Sequence, residues 1–146
     1  MRTLALAALL FTASTGIALA ADTAPDHYWP KGARVFIVSP KSGATVTSPV
    51  TIKFGFKGVK LAPAGDKTPM SGHFHILIDQ GLPDDLSVPL PANDHILHYG
   101  KAQTEATLDA SKLPPGKHTL QLVMGDASHI PHSPPLVSRK ITITVQ

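Results

Sequence analysis

The sequence predicts an all-β protein, an antiparallel β-sandwich of six to seven short strands in two layers. Three observations predict it. Apolar and polar residues alternate at period two in one segment after another, as strands with one buried face require. The 14 prolines and 11 glycines are spread along the chain as turn signals and are not gathered into a linker. No helix-period stripe and no internal repeat runs through it. Each such strand has an apolar face that needs cover, and a second sheet supplies it.

The elements follow in order. "MRTLALAALLFTASTGIALA" carries Arg2, then an apolar run from Leu4 to Phe11, then Ala18-Leu19-Ala20. That is the charged, apolar, small-residue order of a secretory signal peptide, with cleavage expected after Ala20. The run is too short, and too interrupted by Thr12, Ser14, Thr15 and Gly16, to span a membrane. The mature protein is therefore expected to be periplasmic or secreted, with no membrane attachment. Residues 21–32 read as a polar lead-in and 33–146 as the domain.

"RVFIVSP" is the first strand, turned by "KSGAT". "PVTIKFGF" puts Val50, Ile52, Phe54 and Phe56 on one face, and a long loop follows. "HFHILID" buries Phe74, Ile76 and Ile78 and turns His73 and His75 away from that core. A Pro-rich connection leads to "HILHYG", which reads equally as a strand or a turn. "QTEATLD" alternates weakly. "HTLQLVMGD" aligns Leu120, Leu122 and Met124. "ASHIPHSPP" is a stiff loop, since Pro131, Pro134 and Pro135 interrupt it. "LVSRKITITV" closes the chain with Ile141, Ile143 and Val145 inward.

Composition excludes several functions. The formal charge is only +3, and the lysines form no basic run interleaved with aromatics, so nucleic acid is not an expected partner. There is no cysteine, so no disulfide staples the fold and no thiolate can bind metal. No nucleophile elbow, Gly-rich phosphate loop or pair of catalytic carboxylates stands out.

"VSPKSGATVTSPVTIKF" and "LPPGKHTLQLVMGD" resemble the opening and penultimate strands of bacterial immunoglobulin-like modules. Those modules often carry a Gly-x-Tyr-Thr corner, where this chain has Gly116-Lys117-His118-Thr119. The blocks "GHFHILID", "HYGKAQTEATLD", "LPPGKHTLQLVMGD" and "HIPHSPPLVS" together resemble a small secreted bacterial family known as a domain of unknown function. That likeness covers residues 70 to 146, and the family pattern has a further His where this chain has Phe74. Its members sometimes carry an automatic rod shape-determining label, for which these residues give no physical basis. The resemblance implies an exported immunoglobulin-like sandwich and no established activity.

The eight histidines are His27, His73, His75, His95, His98, His118, His129 and His132, and all but the first lie within sixty residues. His73 and His75 point the same way from one strand, roughly 6.5 Å apart along it. Two imidazoles so placed can share a cation. They also suit an ordinary polar face. His129 and His132 sit in the stiff loop, where rigidity lowers the entropy lost on clamping a ligand. In an immunoglobulin-like sandwich the loops before the third and last strands share an end, which brings His73, His129 and His132 together. His98 joins them if "HILHYG" runs back from the far end, with His95 further down. Asp126 and Met70 flank the same end as a fourth ligand or as support for one. His118 takes the Tyr corner position and is expected to be structural.

The candidate metal residues are thus His73, His75, His98, His129 and His132. The reading is a transition-metal-binding module for carriage or buffering, with copper first and zinc as the alternative, and another periplasmic protein as a further partner. Imidazole suits both metals, and copper binds more tightly at equal ligands. One alternative is an immunoglobulin-like accessory domain that binds a protein or an envelope glycan without metal. Another is an enzyme, since "HFHILID" is similar to the His-x-His copper strand of copper–zinc superoxide dismutases. That similarity ends at the strand. The chain has no cysteine pair and no second His/Asp cluster where a zinc site would follow.

Overall fold

The computed structural model describes residues 28–146. The expected signal peptide, His27 and most of the lead-in lie outside the described residues. Nine strands and no helix occur among those described. They are β1 (Arg34–Ser39), β2 (Thr45–Val46), β3 (Val50–Lys57), β4 (Lys60–Leu61), β5 (Ser71–Ile78), β6 (Ile96–Tyr99), β7 (Glu105–Leu108), β8 (Gly116–Gly125) and β9 (Ile141–Val145). β2 and β4 have two residues each. "HILHYG" forms a strand, β6, and the other longer strands fall on the segments that alternation marks out.

One sheet has the order β1-β3-β7. The other has the order β2-β9-β8-β5-β4, with β6 also paired to β5. The main pairings are antiparallel; the short β2–β9 and β4–β5 contacts are parallel. Inward residues of both sheets form the main core: Val50, Ile52 and Phe54 from β3 meet Phe74, Ile76, Leu120, Leu122, Met124 and Ile143. Phe56 shares its expected face, but at the end of β3 it is 36% exposed. Trp29 belongs to the same core, and its Nε1–H donates to Pro131 O at 2.8 Å. The end of the lead-in is therefore tied to the loop that carries His129 and His132.

The larger surprise is β5. Alternation predicts one buried face, yet all eight of its residues are buried. His73 and His75 do turn away from the main core, but they are 0% and 2% exposed, not solvated. The Pro-rich connection folds back over them. Leu77, Leu90, Ile96 and Val123 form a second apolar cluster on that outer face, with Leu82 and Val137 against it. The cover is pinned by backbone hydrogen bonds: Ile78 N donates to His95 O at 2.8 Å, Leu90 N to His129 O at 3.0 Å, and His132 N to Leu86 O at 3.0 Å.

Candidate metal centre

The site begins with strand register. His75 stands directly opposite His98 on β6 and opposite Val123 on β8. Opposed residues on antiparallel strands carry their Cβ atoms about 5 Å apart, close enough for two rings to converge. His73 lies two residues earlier on the same face and faces Gly125, the last residue of β8. Beyond Gly125 the chain turns and lays His129 over the pair.

Two glycines make the space. A Cβ at Gly125 would come within 3.0 Å of His75 Cε1 and 3.1 Å of the His129 backbone. A Cβ at Gly100 would run into the His98 ring. His129 itself has φ of +69°, in the left-handed region that most residues avoid. Asp126 holds it there. Its Oδ1 accepts from Ser128 N at 2.8 Å and Ile130 N at 2.9 Å, and its backbone oxygen accepts from His129 N at 2.9 Å.

The rings of His73, His75, His98 and His129 all lie within 5.8 Å of one another, centroid to centroid. One ligand nitrogen from each can be chosen so that the four lie within 4.8 Å of one another. A tetrahedral zinc ion with bonds of about 2.0–2.1 Å needs nitrogens roughly 3.4 Å apart, so the rings would close by on the order of 1 Å. His98 Nε2 and His129 Nε2 are already 3.1 Å apart, a contact in which one nitrogen must carry a proton toward the other.

Polar satisfaction is what sets this group apart. Both ring nitrogens of His73 and of His75 are buried with no hydrogen-bond partner. Burial of such groups without a partner costs about 1–3 kcal/mol each, and native interiors avoid it. Burial is also the main reason their basicity falls. The His73 pKa is lowered to about 4 by burial and then by the neighbouring His129 and His98, against the pull of Asp126. The His75 pKa is lowered to about 3 by burial and then by His73, His98 and His129. The His98 pKa is lowered by burial and by His129. These rings are therefore neutral near pH 7, which is the form that binds metal.

Four of the five candidate ligands come together, and His132 does not. Its Nε2–H donates to Asp126 Oδ2 at 2.8 Å, and its ring stacks on Tyr28 with centroids 3.7 Å apart. Two residues separate it from His129, and both histidines take left-handed φ; the His129 ring meets His98, whereas the His132 ring is held by Asp126 and Tyr28. Met70 is 45% exposed and outside the group. His95 is engaged elsewhere, its Nδ1–H donating to Ile78 O at 3.1 Å.

His118 holds the corner. Its Nδ1–H donates to Asp79 Oδ2 at 2.7 Å and its Nε2–H to Pro114 O at 2.8 Å. Both partners are acceptors, so the ring must be charged to satisfy them. Burial works against that charge, but the bonds to Asp79 and Pro114 and the charge of Asp79 outweigh it and raise the pKa.

Sequence reasoning missed the cover over the site and the glycines that open it. The signal for the cover was present: Leu77 and Val123 are apolar at outward-facing positions, and such positions need burial.

A family model described as "Domain of unknown function (DUF4399)" matches residues 52–146. That stretch contains all four clustered histidines, Gly100, Gly125 and Asp126. No curated protein and no solved structure matches the chain.

Proposed function

The chain belongs to the DUF4399 family, and we propose from the geometry of its histidines that this protein binds one transition-metal ion through His73, His75, His98 and His129. The observation that carries the reading is the orphaned set of four buried nitrogens on His73 and His75, packed beside two further imidazoles. A cation lying between them removes the orphan penalty at one nitrogen of each ring. It also replaces the proton between His98 and His129.

An all-imidazole donor set suits Cu(II) and Zn(II), and Cu(II) stands higher in the affinity order, so copper is the proposed ion with zinc second. Four protein ligands fit carriage or buffering better than turnover. The leader-like first twenty residues support a periplasmic or secreted location, where another exported protein would supply or receive the metal. A metal-free accessory module would leave the inward aim of His73 and His129 without a reason; their ring centroids are 4.8 Å apart.

Calorimetric titration with Cu(II) and Zn(II) tests the proposal. One ion per chain is expected. The His73→Ala, His75→Ala double variant is expected to lose tight binding, weakening it by about a hundredfold or more. A double variant with wild-type stoichiometry and affinity would overturn the assignment.

A further inference from the structure

The four-histidine group is not enclosed on every side. A cavity of about 180 Å³ lies against it. Three of the four rings, His75, His98 and His129, form one wall, and the segment from Pro89 to Ala92 forms the other. His73, fully buried, does not line it. An ion held by all four rings would thus turn one triangular face of its coordination shell toward this space. Liquid water takes about 30 Å³ per molecule, so the cavity has room for a ligand of several heavy atoms.

Charge says what kind of ligand. Four neutral imidazoles leave a divalent ion with its full +2. Among the described residues, Asp126 is the carboxylate whose charge reaches the cluster, acting on His73. Its Oδ2 already accepts from His132. The Pro89–Ala92 wall has no charged side chain. His98 is exposed and His129 half-buried, but His73 and His75 are buried; a dication held partly out of water without a carboxylate ligand is costly, and an anion placed beside it relieves that cost.

The geometry points to an exogenous-ligand site: a small anionic donor enters between the Pro89–Ala92 segment and the rings of His75, His98 and His129, and completes the coordination of the metal. This inference rests on the metal-binding reading and adds to it an open position, the feature that separates exchangeable from purely structural sites. Through that position a delivery partner or a competing anion can reach the ion without unfolding the site.

Azide is the probe. Protein loaded with one equivalent of Cu(II) is titrated with sodium azide, followed by the azide-to-copper charge-transfer band and by electron paramagnetic resonance. Saturable binding with a changed copper spectrum is expected. Ala92 is exposed, lines the cavity and has no metal-binding side chain, so Ala92→Phe narrows the entrance and removes no proposed ligand. That variant is expected to bind one Cu(II) as the parent does and to weaken azide by roughly tenfold or more. A copper-loaded parent whose spectra azide leaves unchanged overturns the open position while leaving metal binding intact. Equal azide affinity in Ala92→Phe overturns the proposed route. Failure to take up copper at all sinks the metal reading, and this inference with it.

Discussion

At the scale of one residue, His75 shares with His73 the cost of an unpartnered buried ring. It is 2% exposed, and neither ring nitrogen has a partner. A side chain kept at that cost is a liability to the metal-free fold. Leucine fills a similar volume without polar atoms. His75→Leu is therefore expected to stabilise the metal-free protein at pH 7 by about 1–3 kcal/mol while weakening metal binding. The same residue sets a pH dependence. Its folded pKa lies below the unfolded 6.5, so the unfolded chain takes up the proton first. Stability is full above pH 6.5 and falls as pH drops toward the lowered value, by on the order of 1–2 kcal/mol per such histidine at pH 5. His118 has the opposite sign: its raised pKa gives stability that is present below pH 6.5 and lost as pH rises through the folded value. It is common to both proteins and cancels from their comparison. Urea unfolding in a chelator at pH 7 and pH 5 checks this. A His75→Leu protein no more stable than the parent at either pH would show that the buried ring is not under strain. Legibility at this scale was good for His73, His75 and His118, because strand parity is a local property. It was poor for His132, whose ring is taken by Asp126 and Tyr28, contacts that its immediate neighbours do not announce.

At the scale of elements, β5 and β6 present three imidazoles, His73, His75 and His98, and the loop after β8 brings the fourth. That loop is organised by Asp126, whose side chain is 13% exposed and accepts from Ser128 N, Ile130 N and His132 Nε2. Burial would push its pKa up, but these hydrogen bonds outweigh burial and lower it. Asp126 touches no proposed ligand nitrogen, so it is a positioning residue. Asp126→Ala is expected to free His129 and to weaken metal binding by about 10–100-fold, with one ion per chain still bound at saturation. Competition against a chromophoric chelator measures the affinity. Unchanged affinity would mean that the backbone bonds alone hold the loop. The long alternating strands were readable because each carries its own period. The covering connection was not, since its apolar residues, Leu82, Leu86, Val88 and Leu90, are broken up by Pro83, Pro89 and Pro91 and show no run of strand length.

For the whole molecule, the site joins two layers of packing. β5 faces the main core with Phe74, Ile76 and Ile78 and faces the second cluster with Leu77, with His73 and His75 on that second side. A metal ion there ties β5, β6 and the loop after β8 together, so binding is linked to global unfolding. Free metal at a hundred times Kd is expected to add about 2.7 kcal/mol to stability. Thermal melts with and without Zn(II) check it: the midpoint rises with metal, returns with chelator, and stays put in the His73→Ala, His75→Ala variant. A parent protein whose midpoint ignores metal would leave the cluster without a thermodynamic role. By itself the sequence determined an all-β chain, six of its seven longer strands and which histidines share a strand face, because alternation and turn chemistry act over a few residues; it left "HILHYG" open between strand and turn. Only the tertiary structure decided that His98 and His129 close over His73 and His75 while His132 turns to Asp126. That outcome depends on strand register and on a covering segment folding back from far along the chain, and neither leaves a periodic mark in the order of the residues.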